Sequence, residues 1–450
     1  MSAHRRGRMV TAWALGAAAA VTLAACSTPS AGSSASTSAS ASTPASASAS
    51  PASSVAAPTD CPSGSDPAKQ FKLGTFLPLT GSLAFLGPAA ISGGGLAIQD
   101  INAAGGVNGQ KACTISTDSS DADNATIGST IVKKLLQSRV SAILGAESSS
   151  VSLNVLPTVA ASNTVMFSPA NTADELSGAS KWYFRDAPPN SVEGNALGKQ
   201  IVADGSSKVG MLVFNDPYGT NLRDSTQKAI EASGGTVVYG GTGKNQEFPS
   251  KETNFQSIVG QLKASNPDAI VVIAFDQTKQ IIPAMVSAGI SLKHTYFVDG
   301  NLNDYGTEFP KGTLTGVTGS NQGVNANAAF KSKAQAWYTQ HGGATITSYS
   351  YGPEAYDGVT LMALAAQKGG DSSSATIQKN LLAVSGANGG TVCKTYADCL
   401  ALLKQKKSIH YEGLSGIGPL NAKHDPSTGY ISIYKYVGNS PSKFVNSVKG

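Results

Sequence analysis

Residues from Phe71 onward predict an α/β protein built on two doubly wound, Rossmann-like parallel sheets with helices on both faces. Three observations carry this reading. Short apolar runs of strand length recur, among them "FKLGTFLPL", "VSAILGA", "KVGMLVFND" and "DAIVVIA". Segments of helical character, about 10 to 16 residues long, separate them, which is the pattern of parallel strands joined by crossover helices. There are also more strands than one sheet comfortably holds, so "RDAPPNSVEG" (185–194) reads as a crossing between two.

Taken in order, "FKLGTFLPL" is a buried strand, followed by a helix with Ile91, Gly94 or Gly95, Ile98 and Ile101 on one face. It ends in "NAAGGVNG", where Gly105 and Gly106 supply a left-handed C-cap. Glycines 93 to 95 each cost about 1 kcal/mol relative to alanine in a helix, so they mark close packing against the sheet. "ACTISTD" is the second strand, and Asp121 is placed to cap a helix running to Gln137, with Ile127, Ile131 and Leu135 in line. "VSAILGA" and "TVMFSPAN" are the third and fourth strands, with a helix starting among Ser148, Ser149, Ser150 and Ser152 between them. "KVGMLVFND", "GTVVYG", "DAIVVIA" and "HTYFVDG" follow as strands, separated by helices at 219–233, 254–265 and 277–289. Beyond residue 320 come helices at 327–340, 353–368 and 374–383 and a closing strand, "GYISIYKYV". No internal sequence repeat stands out.

The N-terminal region speaks of compartment. Arg5, Arg6 and Arg8 precede 17 residues without a charge, Met9 to Ala25. A basic start and an apolar stretch too short for a membrane span read as a secretion signal over residues 1–25. "LAAC" then matches a bacterial lipobox, with Cys26 as the lipidated residue. Residues 27–59 are almost wholly Ser, Ala, Thr and Pro, and cannot bury enough surface to offset their ordering entropy. They form a disordered spacer, its ends roughly 30 Å apart on average, and the tether as a whole is assigned to 26–68. The body that follows, about 390 residues, suffices for two domains with real cores.

Formal charge is +5, and loss of the three leader arginines leaves +2 with mixed signs along the body, which excludes a nucleic-acid footprint. Besides Cys26 there are four cysteines, an even number for an oxidising compartment. Cys393 and Cys399 flank "KTYAD", a loop short enough to close locally, which leaves Cys61 to pair with Cys113 if the first two strands are neighbours. The five histidines are scattered singly, and none is spaced with cysteine as a zinc site requires.

In parallel α/β sheets, ligands bind beyond the carboxyl ends of the strands, where helix N-termini present free N–H groups. "AILGAESSSVS" (142–152) and "FSPANTADEL" both sit at such points and together make a plausible carboxylate cradle. A serine nucleophile would need a base, and "GAESSSVS" is not G-x-S-x-G. A phosphate loop fails too: "YGGTGKNQ" has Gly243 and Lys244, but Asn245 replaces Ser/Thr and Val238 stands where the first glycine belongs. Helix capping accounts for one of the serines.

"LGTFLPLTGSLAFLG", "INAAGGVNGQ", "SSSVSLNVLPTVAASNTVMFSPANT", "NDPYGTNL" and "GQLKASNPDAIVVIAF", in that order, resemble the leucine/isoleucine/valine-binding proteins of ABC importers over about residues 70–440. The resemblance implies the type I periplasmic-binding fold: two α/β lobes joined by three chain crossings and closing on ligand. On that pattern 69–187 and 322–425 form lobe one, and 188–321 and 426–450 form lobe two. Position by position, Ser149 and Thr172 resemble the hydroxyls that hold the ligand carboxylate, Ala170 supplies main-chain contacts, and Tyr218 in "DPYG" is an aromatic from lobe two. Leu86 stands where amino-acid binders often carry an aromatic, and Phe275 where tyrosine is common. Asp299 is taken as the acid for the ligand ammonium, although Asn301 is the more literal match and a strand-end cap is the competing role. The resemblance further implies no catalytic residue, cofactor or metal, and a lipid-anchored monomer outside the cytoplasmic membrane. Its partners would be a small ligand, an amino acid or other carboxylate, and an ABC permease. A ligand-sensing subunit of a membrane signalling system remains open beside transport.

If Cys26 carries the lipid, Cys26→Ala should leave the membrane fraction and accumulate in the medium or unprocessed. Equal partitioning of variant and wild type in cell fractionation would exclude the anchor.

Overall fold

A computed structural model describes residues 60–62, 64–121, 125–416 and 418–449. The expected leader, Cys26 and the spacer at 27–59 lie outside them. The first sheet is built from β1 (Lys72–Leu77), α1 (Gly87–Ala103), β2 (Cys113–Asp118), α2 (Ala125–Gln137), β3 (Ala142–Gly145), α3 (Ser149–Ala161), β4 (Val165–Ser168) and β5 (Tyr183–Arg185). Its five strands are parallel in the order β2-β1-β3-β4-β5. After a crossing at 186–189 the chain forms α4 (Asn190–Ala203), β6 (Lys208–Val213), α5 (Pro217–Ala232) and β7 (Thr236–Tyr239). Then come α6 (Gln256–Ala264), β8 (Ala269–Ile273), α7 (Thr278–Ser287), β9 (Thr295–Phe297) and β10 (Thr318–Gln322). These strands run β7-β6-β8-β9-β10, so each lobe, counted from its own first strand, has the doubly wound order 2-1-3-4-5. A duplication unseen in the sequence is plain in the topology.

A second crossing at 323–327 returns the chain to the first lobe. There α8 (Ala328–Gln340), α9 (Gly352–Gly369), α10 (Ser374–Val384), β11 (Thr391–Cys393), α11 (Tyr396–Lys404) and β12 (Ile409–Tyr411) are added. Phe330, Trp337, Val359 and Leu361 join Leu73, Leu144 and Phe167 in one buried core. The third crossing, through 412–429, leads to β13 (Tyr430–Val437), antiparallel to β10, and β14 (Ser440–Lys449), antiparallel to β13. The architecture is two Rossmann-like lobes joined by three crossings, as expected.

Several elements differ from the sequence reading. The first half of the stretch read as a crossing is the crossing and its second half begins α4, a helix not anticipated, as β5, β10, β11, β12, β14 and α11 were not. β10 (TGSNQ) is polar yet wholly buried, because hydroxyl and amide groups there find partners inside the protein. The glycines of α1 serve helices more than the sheet. A Cβ on Gly93 would run into the Gly352 carbonyl, and one on Gly95 into the Trp337 ring, while Gly94 alone faces the sheet at Leu144. Asp121 accepts from the Ser82 N–H and hydroxyl in the loop after β1, and 122–124, where it was expected to open the helix, lie outside the described residues.

Both disulfides form as paired from the sequence, Cys61–Cys113 and Cys393–Cys399. Cys399 lies in the first turns of α11, so "KTYAD" is half helix rather than loop. Residues 60–68, assigned to the tether, are instead held to the first lobe. Asp60 exchanges hydrogen bonds with Thr114, and the Ser372 N–H donates to Ala68. No helix among the described residues is long and apolar enough to cross a membrane.

Opening Cys61–Cys113, which spans 52 residues, with a double serine variant should cost about 4 kcal/mol in urea unfolding; opening Cys393–Cys399 should cost about 2 kcal/mol because its loop is so much shorter. Equal losses would contradict the loop-entropy origin of the effect.

Candidate functional site

The switch in strand order falls between β1 and β3 in one lobe and between β6 and β8 in the other. The carboxyl ends of these strands, with those of β4 and β9, converge on one closed cavity. It is lined by Leu83, Leu86, Glu147, Ser148, Ser149, Ala170, Thr172, Tyr218, Phe275, Asp299, Gly300 and Tyr351. Its volume is about 290 Å³. Leu83, Leu86 and Ala170, all from the first lobe, pack into the core of the second. The lobes are therefore shut on one another.

The serine cluster divides its labour. Ser148 is the N-cap of α3, accepting from the Val151 N–H at 3.4 Å, and its hydroxyl meets that of Ser150 at 3.0 Å. Ser149, the first residue of the helix, accepts from the N–H groups of Thr172 and Ala173, both at 3.3 Å. It thus knits the loop after β3 to the loop after β4 and keeps its own proton to donate. Ser152 is buried and its hydroxyl has no partner. Beneath the second loop, Ser168 accepts from the N–H groups of Ala170 (3.3 Å) and Asn171 (2.9 Å). The Ala170 N–H is therefore engaged inside its own loop, although Ala170 lines the cavity. Strand β3 approaches β1 so closely here that a Cβ on Gly145, whose φ is +122°, would collide with the Phe76 carbonyl.

From the second lobe, Asp216 caps α5 and presents Tyr218, whose ring stacks on Phe275 at 5.1 Å. The Tyr218 hydroxyl donates to Asp299 at 2.5 Å and accepts from the Gly300 N–H at 3.1 Å. A side chain on Gly300 would strike Tyr218 and Phe275, so only glycine fits there. The Tyr351 hydroxyl donates to the other Asp299 oxygen. Tyr351 precedes α9 with φ of +62°, a left-handed conformation in which a bulky residue is uncommon. Asn301 is directed elsewhere, accepting from the Val298 N–H and donating to the Val272 carbonyl and the Thr278 hydroxyl. Of the two, it is Asp299 that lines the cavity.

Behind Asp299 lies Glu193, fully buried, which accepts from the Asp299 N–H, Ser320 and Gln322. Burial first, and the Asp299 charge second, push the Glu193 carboxyl well above the ordinary range. Burial also raises Asp299, against the two tyrosine hydroxyls that favour its charged form. Glu193 is thus the natural holder of a proton and Asp299 of the charge. Glu147 is pushed up to about 8 by burial alone. No lysine or arginine lines the cavity.

All six expected ligand residues, Ser149, Ala170, Thr172, Tyr218, Phe275 and Asp299, meet in this cavity. Sequence reading assigned no role to Glu147 and did not find Leu83, Gly300 or Tyr351. Tyr351 is about 50 residues from the nearest of the others, and only the return of the chain brings it back.

Two α/β lobes with matched switch points are thus shut on a small cavity lined by both apolar and polar side chains. Residues 70–398 match the family model described as periplasmic binding protein. The chain belongs to that family. Among curated proteins it is similar to the Leu/Ile/Val-binding protein homolog 8 of Brucella abortus, 27% identical over 217 residues, or 45% of this chain and 51% of that protein. The chain spans about half the length of the curated relatives it matches. Its fold is shared with LivJ of Streptococcus pneumoniae, solved with isoleucine: TM-score 0.66, 23% identity, covering 85% of this chain and 100% of that one. A solute-binding protein of R. palustris solved with 4-hydroxybenzoate has TM-score 0.67 at 15% identity, covering 85% and 96%.

A carboxyl whose pKa is raised in the folded protein stabilises it at low pH, and that stabilisation fades as pH rises through the folded value. Glu147 should therefore help the ligand-free protein below its ordinary value of 4.5 and cease to help near pH 8. Melting temperature should fall from pH 5 to pH 8, and the fall should be shallower in Glu147→Gln. An identical slope in the variant would mean that Glu147 does not titrate in this range.

Proposed function

We propose that the protein is an extracytoplasmic, lipid-anchored receptor that captures a small carboxylate-bearing solute between its lobes and delivers it to an ABC permease. The solute is an amino acid of the branched-chain or a related type. One observation carries this: the cavity has two poles of opposite preference, one on each lobe. At the first, the Ser149 hydroxyl has its acceptor capacity occupied by two N–H groups and its proton to give, at the N-terminus of a helix of 13 residues. Such a site attracts an anion. At the second, Asp299 offers a carboxylate already oriented by two tyrosines. A zwitterionic amino acid satisfies both, with its side chain toward Leu83, Leu86 and Phe275. An aromatic acid without an amino group would satisfy the first pole and leave Asp299 without a cation. Because each lobe supplies one pole, ligand holds them together.

A hydrogen bond to a charged group is worth about 1.5 to 3 kcal/mol, so Ser149→Ala and Thr172→Val should each weaken binding about tenfold to a hundredfold in calorimetry. Their effects should not be strictly additive, since both address one anion. Ser152→Ala should change little, and small-angle scattering should show compaction on binding. An amide analogue that binds as tightly as the acid would remove the anion site and with it this reading.

A further inference from the structure

The amino-acid reading accounts for every polar group of the cavity but one. Glu147 lines it at the end of β3, and both carboxylate oxygens are buried with no hydrogen-bond partner. Asp186 is likewise unpartnered but does not line the cavity; other buried acids are well supplied. Asp299 has two tyrosine hydroxyls, Glu193 accepts from three groups, and Asp357 accepts from Tyr411 and from the N–H groups of Leu414 and Ser415. Glu147 has no such supply; its own carbonyl receives the Asn171 amide, but its side chain receives nothing. Among the described residues no cation acts on it, and burial is what perturbs it. Glu354, whose carboxyl burial pushes up to about 8, is another buried acid close enough to feel Glu147.

A buried carboxylate without a donor is strongly unfavourable, and the one place from which a donor can reach Glu147 is the cavity it lines. The two main-chain groups of an amino acid are already assigned, to Ser149 and Thr172 and to Asp299. A third donor must come from the side chain.

We propose that Glu147 is a specificity-determining residue that receives an N–H donor, an ammonium above an amide, at the end of the ligand's side chain. This rests on the amino-acid reading and narrows it: a wholly hydrocarbon side chain would leave Glu147 bare.

Two isosteric pairs test this in calorimetry with the full-length protein in detergent: norvaline against 2,4-diaminobutyrate, and leucine against asparagine. In wild type the nitrogen-bearing member of each pair should bind at least tenfold more tightly. Glu147→Leu should abolish or reverse the preference, and Glu147→Gln should reduce it for 2,4-diaminobutyrate most. Circular dichroism confirms that each variant is folded, and either variant alone decides the matter. Hydrocarbon members that bind wild type as tightly as their partners would overturn the proposal, as would a preference that survives in both variants. If none of the four binds, the amino-acid reading itself has failed and the inference falls with it, an outcome distinct from binding without preference.

Discussion

The placing of the ligand loops depends on one buried cation. Arg185, fully buried at the end of β5, donates through Nε to Asp425 at 2.7 Å, through Nη1 to the carbonyls of Asn171 (3.1 Å) and Ala173 (2.8 Å), and through Nη2 to the Ser177 hydroxyl. One planar group thus sets the loop that carries Thr172 and fastens it to the third crossing, where Asp425 lies. The first crossing begins at the next residue. Phe184 stacks on His424 at 4.0 Å, and the Arg185 N–H donates to the His424 carbonyl, so the same segment covers the edge of β5. Such a charge is tolerable only because every direction of its fork is answered; removal of Asp425 alone would leave a buried, uncompensated guanidinium.

Around the cleft the balance is the reverse. Asp186 in the first crossing has no partner for either oxygen, and Glu354 sits where a side chain on Gly323 in the second would collide with it. Asp357 is bound to Leu414 and Ser415 in the third. Burial raises all three acids, and they act on one another. Acids therefore touch every strand of chain about which the lobes would turn.

Much of this was legible in the sequence, for a definite reason. Strands such as β3, β4, β6 and β8 are continuous apolar runs because parallel sheets bury both faces, and the loops beyond them carry polar residues that no core position would tolerate. Quoted motifs picked out Ser149, Thr172, Tyr218 and Asp299, which the fold brings to one cavity. What escaped had no local signal. β10 is polar and buried through long-range partners, β5 is three residues long, and Tyr351 enters by way of a crossing. Glu147 was visible beside the serines, but nothing in a linear pattern distinguishes a solvated acid from one left bare in a cavity. At "VDGN" the alignment favoured Asn301, and only side-chain direction separates it from Asp299.

Tyr351 leads to one further consequence. It begins a helix of the first lobe but is packed in the core of the second, with its hydroxyl on Asp299. Parting the lobes withdraws an aromatic ring from that core and deprives the acid of a donor, a loss of about 1.5 to 3 kcal/mol for the apolar surface alone. The shut form therefore has an intrinsic adhesion that owes nothing to cargo. On the transport reading, that adhesion sets a background of empty, shut receptors competing for the permease, and the discrimination between loaded and unloaded traffic is only as large as the ligand's contribution above it.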